Sequence, residues 1–300
     1  MAVSPAHRWG QIIGNLLEDA VAPLLEQFAQ QHGLYLDRKG PRPVRKTLDV
    51  IWADARGNKH KLDYVIERDG SATSIGVPVA FIEIAWRRYT KHSKNKAQEI
   101  EAAIQPLLTK HQEVAPFFGV VLGGVFTSAA LEQLRTVGCV VAYFPYETIL
   151  KAFAHANIDA SSEEDTPDSE FTAKVRAWEA LKADQRQDIA QSLVAVNDAQ
   201  MRVFMESLRL IATRQIVEIQ VLPLHGSMAE FSTVGDALSF LGGYDTTAQA
   251  QPLVKYEIQL RYNNGNRITA EFTDTLSADQ FLRGYLPPAI HPIQEEKESS

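Results

Sequence analysis

The sequence predicts an α/β protein built on a mixed sheet, followed by a second, smaller α+β domain. Apolar residues at helical spacing fill 9–33 and predict a first helix. Three strand-like segments joined by short connections follow within 47–87, which favours antiparallel pairing. Between 92 and 156 two buried strands alternate with helices, which favours parallel pairs with right-handed crossovers. The order αβββαβαβ therefore predicts one mixed sheet with helices on both faces.

Each element of the first half has its own local signal. Pro23 interrupts the first apolar stripe, so we expect a kink or a break there, and the segment 37–46 is interpreted as a basic loop. Alternating polarity marks a strand over 60–68, whereas 77–87 is apolar enough to lie centrally in the sheet. The remaining strands are predicted at 47–54, 117–125 and 139–144, and the remaining helices at 92–111, 127–138 and 146–156.

The second half predicts a separate domain. The first domain is expected to span 1–156, and an acidic stretch rich in Ser, Asp and Pro, 157–170, is interpreted as a linker. The second domain, 171–290, begins with helices and continues with two similar segments, 218–241 and 257–282. Both segments open with Glu-Ile-Gln, share Ala-Glu-Phe and close on Phe-Leu, so each is interpreted as a hairpin followed by a helix. The tail 291–300 is expected to be disordered.

Charge is divided unevenly along the chain, whose net charge is −7. Residues 1–155 carry 18 Lys and Arg against 15 Asp and Glu, whereas residues 156–300 carry 12 against 22, so a basic surface is expected in the first half only. The single cysteine, Cys139, forms neither an intramolecular disulfide nor a thiolate metal site, which favours a reducing cytoplasm. An apolar run long enough to cross a membrane and a secretory signal are both absent from the sequence, so no membrane partner is expected.

One carboxylate stands in the middle of the most apolar predicted strand, in FIEIAWRRYTKHSKNK (81–96). Burying Glu83 is costly unless it is hydrogen-bonded, paired or bound to a metal. Asp63 in the preceding strand is placed to face the same spot, and two carboxylates there repel unless a cation lies between them; hard oxygen ligands suit Mg²⁺. Glu18 lies beside the buried stripe of the first helix, where Gly14 is expected to allow close packing, and adds a third carboxylate. Considered alone, Glu18 is typical of a solvent-exposed flank of a helix, and Asp63 is typical of a strand residue that pairs with a nearby Lys or Arg.

This order of elements and acids resembles the PD-(D/E)XK nuclease superfamily, with its restriction-endonuclease-like core, over roughly residues 9–155. The resemblance implies that Glu18, Asp63 and Glu83 bind Mg²⁺ or Mn²⁺ and serve in catalysis. The sequence departs from the family pattern at Leu62, in place of a proline that is commonly absent, and at Ala85, where the family has lysine. That lysine orients the attacking water and offsets charge at the phosphate. Lys96 on the following helix is the candidate for a relocated lysine.

Two basic stretches are candidates for binding the DNA backbone. The first follows Glu83 and supplies Arg87, Arg88, Lys91, His92 and Lys94; the second is the predicted loop with Arg38, Lys39, Arg42, Arg45 and Lys46. Arg87 is also the second choice for the missing lysine, and Glu99 is expected either to hold Lys96 or to take part at the metal. The competing interpretation of both stretches is a solvated loop with no ligand. Trp86 and Tyr89 are expected to pack, or alternatively to stack on a base.

The resemblance implies a metal-dependent DNA endonuclease, of the restriction or phage-defence kind found in prokaryotes. The expected partners are DNA, a second copy of the chain, and a methyltransferase or other defence protein, with the acidic C-terminal domain supplying dimerisation, partner binding or substrate choice. A second hypothesis is a catalytically inactive member of the fold that binds nucleic acid or protein, because Ala85 replaces the lysine. An unrelated metabolic enzyme is disfavoured, because the glycine pair of LGGVF (122–126) is the best phosphate-loop candidate and is more typical of tight packing.

Overall fold

The computed structural model describes residues 4–90, 93–223, 228–246 and 253–286. The chain divides into two compact units, Met1–Thr213 and Arg214–Ser300. Both combine helices and strands, so the predicted mixed α/β class is confirmed.

The first unit is built on a five-stranded sheet with the order β1-β4-β5-β6-β7. These strands are β1 (Tyr35–Arg38), β4 (Tyr64–Arg68), β5 (Val77–Arg87), β6 (Phe117–Gly124) and β7 (Val140–Pro145). Antiparallel pairs join β1, β4 and β5, whereas β5, β6 and β7 are parallel. The central strand β5 has the predicted bounds, and the sheet is mixed as predicted.

The prediction of a three-stranded antiparallel meander was wrong. The predicted strand 60–68 is interrupted at Asp63: its first part, β3 (Lys59–Leu62), pairs with β2 (Val50–Ala53) in a separate two-stranded ribbon. Leu62 and Val65 both pack into the same hydrophobic cluster. They are three positions apart, so in one regular strand their side chains would point to opposite faces. The edge of the main sheet is instead β1, part of which falls in the predicted basic loop 37–46.

Helices cover both faces of this sheet. They are α1 (Pro5–Gln31), α2 (Ser93–Lys110), α3 (Ser128–Thr136), α4 (Tyr146–Ala154), α5 (Asp168–Ala180), α6 (Ala183–Val196) and α7 (Asp198–Ala212). One hydrophobic cluster packs α1 and the four helices α4–α7 against one face of the sheet. A second cluster packs α2, α3 and the two-stranded ribbon against the other face. Pro23 lies inside α1 without ending it. Tight packing at Gly123 and Gly124 accounts for the glycine pair, since a Cβ there would lie 2.5 Å from Leu17 and 2.1 Å from the Arg87 carbonyl oxygen.

The boundary of the first unit lies much later than the predicted 156. Helices α5 to α7, which were assigned to the second domain, pack on the first hydrophobic cluster, and the predicted linker 157–170 contributes buried Ile158 and Ala160. The Trp178 and Phe153 rings are 5.6 Å apart, and Lys174 Nζ donates to the Asp159 carbonyl oxygen at 2.8 Å. The segment was interpreted as a linker because most of its residues are polar, although a few apolar residues attach it to the core.

The second unit contains the two similar segments. The first folds as β8 (Ile216–Pro223), β9 (Ala229–Phe231) and α8 (Val234–Gly243), and the second as β10 (Tyr256–Tyr262), β11 (Arg267–Phe272) and α9 (Thr275–Arg283). Their four strands form one sheet, β11-β10-β8-β9, in which β8 and β10 pair antiparallel with Gln220 opposite Gln259. Part of the first hairpin loop (224–227) and the predicted disordered tail (291–300) lie outside the described residues. None of the described helices is long and apolar enough to cross a membrane.

Candidate functional site

Asp63 and Glu83 meet where β5 continues past the start of β4. Tyr64 pairs with Ile82, so the residue before Tyr64 lies beside the residue after Ile82. The Asp63 backbone N–H donates to Glu83 Oε1 at 3.3 Å, and the Ile84 N–H donates to Asp63 Oδ2 at 2.7 Å. The two carboxylates therefore share one spot, as the strand pattern indicated.

Burial makes ionisation of this pair unfavourable. Glu83 is 9% exposed and sits between Phe81 and Ala85 on the side of the strand that packs against α2. Burial, and then the charge of Asp63, raises the pKa of Glu83 to about 8. Burial is also the main cause that raises the pKa of Asp63. Protonated Glu83 can thus share its hydrogen with Asp63, and the positive charge of Lys96 opposes both increases.

A cleft of about 290 Å³ lies on the α1 side of this pair, with Glu18 and Asp63 among its walls. Burial, followed by the charge of Asp63, raises the pKa of Glu18. The cleft also contains Arg38 and Lys39, which belong to the predicted basic loop, and Lys61, a cation that the sequence did not single out. Lys61 stands two residues before Asp63, which is the sequence signal that could have identified it.

Lys96 lies in the first turn of α2, and its positive charge acts on Asp63 and Glu83. Its side chain is 22% exposed, and its Nζ lies 3.6 Å from Glu99, which lies 3.7 Å from Arg87. Glu99 therefore holds Lys96 through an ion pair. Lys96, Arg87 and Ala85 line a groove of about 360 Å³ between β5 and α1. Ala85 is buried in this wall, so the lysine position of the family pattern contributes a methyl group to the groove.

Gly14 of α1 borders the same groove, and the expectation that it allows close packing is corrected. A Cβ at Gly14 would have no atom of the described chain within 4 Å. The glycine therefore leaves the groove open, one helical turn before Glu18.

The donor chemistry of the site fits a divalent cation, which Asp63 and Glu83 would hold with Glu18 across the cleft. Carboxylate oxygens are hard ligands, and a cation would offset the charge that burial makes unfavourable. As they stand, no three His, Cys, Asp or Glu side chains converge as a ligand set within the described residues. Asp63 and Glu83 each accept a backbone hydrogen bond at one oxygen and also interact with each other through their side chains.

Two arginines that were predicted to bind DNA are structural. Arg42 is buried and donates to both oxygens of Glu67, at 2.7 and 3.0 Å, and lies 2.9 Å from Asp37. Arg45 lies 3.1 Å from Asp37 and donates to carbonyl oxygens of its own loop, including that of Arg38 at 2.9 Å. Both cations are taken up by acids and carbonyls of β1, β4 and the loop, so neither faces a ligand.

The other predicted DNA-binding residues differ in their surroundings. Arg88 is largely structural: its Nε donates to Ser162 Oγ at 2.8 Å, and its guanidinium stacks on Tyr146. Arg87 is about one-third exposed in the groove, and Lys94 and Lys46 are exposed. The predicted DNA contacts at Lys91 and His92 lie outside the described residues.

Comparisons with known proteins leave the family open. No family model and no curated protein matches the chain. A solved structure, the crystal structure of a protein of unknown function, AF1548, aligns with 64% of this chain and 98% of its own at 13% identity, with a TM-score of 0.28. A likeness at that level carries no argument about fold or activity.

Proposed function

We propose that this protein is a metal-dependent nuclease that hydrolyses DNA phosphodiester bonds. The observation that carries the proposal is the buried Asp63–Glu83 pair, held together through backbone hydrogen bonds, with the positive charge of Lys96 acting on both acids. Two buried acids held together beside a cleft, with raised pKa values and a positive charge opposing them, are typical of functional sites.

Each residue has a role in this chemistry. When bound, Mg²⁺ or Mn²⁺ supplies a Lewis acid that stabilises charge on the phosphate and lowers the pKa of a water molecule. Asp63, Glu83 and Glu18 would hold the ion, and Lys96 would offset charge that develops at the phosphate. Arg87, Lys39 and Lys61 supply further positive charge along the cleft and groove, which suits a polyanion.

The biological setting follows from the resemblance rather than from the geometry. We propose a cytoplasmic restriction or phage-defence nuclease, with the second unit providing dimerisation or contact with a methyltransferase or another defence protein. Its acidic charge disfavours a large DNA footprint of its own.

One observation favours a second candidate function, a non-catalytic nucleic-acid-binding member of the fold. Ala85 stands where the lysine is expected, and Lys96 pairs with Glu99 rather than with the carboxylates. In that case the grooves would bind the nucleic acid and no bond would be cleaved.

A cleavage assay separates the two candidates. Supercoiled, linear and single-stranded DNA are incubated with the protein in Mg²⁺, Mn²⁺ or EDTA, beside Asp63→Asn, Lys96→Ala and the control Lys151→Ala, an exposed lysine of α4. We expect metal-dependent cleavage that falls about 100-fold or more in the first two variants and is unchanged in the control. A wild-type protein that never cuts, or variants that cut as fast as wild type, would refute the nuclease.

A further inference from the structure

A small aromatic pocket lies at the end of β5, beside the start of α1. It has a volume of about 100 Å³, and four of its wall residues are aromatic: Trp9, Trp86, Tyr89 and Phe171. Arg88 and Ser162 complete the part of the wall used here. Flat aromatic walls favour a flat, stacked ligand.

Two hydrogen-bond donors of this wall are buried with no acceptor in the described part of the chain, Trp9 Nε1 and Arg88 Nη2. The Arg88 guanidinium is fixed over the rings of Tyr89 and Tyr146, with its carbon 4.9 and 4.6 Å from the ring centres. Its Nη2 lies 3.9 Å from the Glu163 carboxylate, which is beyond hydrogen-bonding distance. Buried donors without partners are unfavourable, so a ligand with acceptor atoms would improve both.

The pocket adjoins the groove that contains Lys96. Gly10 and Trp86 belong to the walls of both, and the groove continues to Ala85 and Arg87. Gly10 has no side chain, and a Cβ there would lie 3.8 Å from Trp86 Nε1. The boundary that the pocket and the groove share is therefore formed by a residue that leaves it open. A strand whose phosphates follow the groove would therefore carry a base to the pocket.

We propose that this pocket holds one unpaired base of the nucleic acid that the groove binds. The proposal rests on the proposed function and identifies a subsite of it. A nucleobase has the required properties: a flat face for the aromatic walls, and ring nitrogen and carbonyl acceptors for the Trp9 and Arg88 donors. The basic groove attracts the phosphates on either side of that base.

The test uses Ala6→Leu, which fills the pocket without removing any contact. Ala6 lines the pocket and lies near the start of α1, where leucine is a good helix former. Ala129→Leu, an exposed alanine of α3, is the matched control, and Tyr89→Leu is a second variant that alters a wall. Single-stranded oligonucleotides with the fluorescent base 2-aminopurine at successive positions are titrated with each full-length protein in Ca²⁺.

We expect the fluorescence at one position to be quenched by wild type and by Ala129→Leu. Ala6→Leu and Tyr89→Leu should lose that quenching and bind about 5- to 100-fold more weakly, the range for a lost base–aromatic stack. Equal quenching and affinity in all four proteins, wild-type binding without quenching at any position, or no binding by wild type would each overturn the proposal. Quenching without Mg²⁺-dependent cleavage would keep the pocket and reject the nuclease, whereas equal cleavage by wild type and Ala6→Leu would keep the nuclease and reject the pocket.

Discussion

Two buried groups of charges lie in the first unit and are built differently. In one, Arg42 is held between Glu67 and Asp37, all three nearly inaccessible, with ion-pair distances of 2.7 and 2.9 Å. In the other, Asp63 and Glu83 accept backbone N–H groups and interact with each other, while Lys96 makes its ion pair with Glu99.

The difference separates a structural cluster from a candidate site. Gly76 N–H also donates to Glu67 Oε2 at 2.7 Å, and Arg45 adds a second cation beside Asp37, so the first group is nearly saturated. Burial raises the pKa of Asp37, but both arginines lower it. At Glu83 the pKa is raised first by burial and then by the negative charge of Asp63, so the two main causes act in the same direction. Buried acids whose pKa values are raised in this way can bind a cation or keep a proton.

The largest expected effect is on stability and comes from the saturated cluster. Arg42→Met would leave Glu67 and Asp37 buried without their shared partner, which costs about 3–5 kcal/mol of unfolding free energy. Urea unfolding followed by circular dichroism measures it. Lys46→Met, an exposed residue of the same loop, is the control and should change the midpoint little. If Arg42→Met and Lys46→Met unfold alike, the cluster is not a structural centre.

A smaller, pH-dependent effect is expected at Glu83. Its pKa is near 8 in the folded protein and 4.5 when unperturbed, so between these values the folded state keeps a proton that the unfolded state releases. Stability therefore falls as pH rises from about 4.5 to about 8, and Glu83→Gln removes that fall. Near pH 8 the variant should be more stable than wild type by an amount on the order of 3 kcal/mol, and near pH 4 the two should be similar.

Unfolding curves at pH 4, 6 and 8 test this, with Glu170→Gln, an exposed glutamate of α5, as the matched control. The control should follow wild type at every pH. A constant difference between Glu83→Gln and wild type from pH 4 to pH 8 would show that Glu83 is ionised in the fold. Adding Mg²⁺ at pH 8 should stabilise wild type but not Glu83→Gln, since a cation replaces the proton.

Strand patterns were sufficient to predict the carboxylate pair, but composition misled elsewhere. The apolar run around Glu83 fixed both the strand and its parity, and Asp63 followed from the adjacent strand. The basic loop 37–46 was interpreted as a surface because its prolines and cations are adjacent in sequence. Its partners, Asp37 and Glu67, become neighbours only when β1 pairs with β4, placing Asp37 opposite Val65 and Tyr35 opposite Glu67.

The sequence predicted the site at Glu83, which lies inside β5, and at Asp63 beside it, but not the interruption of the strand at Asp63. Lys61 lies at the cleft on the short strand β3, which ends just before Asp63, and no periodicity in the sequence predicts that end. The long boundary error at 156 has a similar cause: Phe171 and Trp178 are isolated apolar residues in polar sequence, and their burial depends on the faces of α1 and α4 already being formed.

The smallest expected change concerns Gly14, which separates stability from groove access. Glycine inside a helix costs about 0.5–1 kcal/mol relative to alanine, and a Cβ at Gly14 meets no described atom within 4 Å, so Gly14→Ala should stabilise the protein by that amount. Gly14→Gln should also favour the helix but place a long side chain in the groove beside Lys96. Thermal unfolding and DNA binding are measured together on both variants, with Gly242→Ala, a glycine of α8 with equally open surroundings, as the control for stability alone. If Gly14→Gln binds DNA as tightly as Gly14→Ala, the groove beside Lys96 does not carry the strand, and the nucleic acid must reach Asp63 and Glu83 from the cleft that contains Glu18.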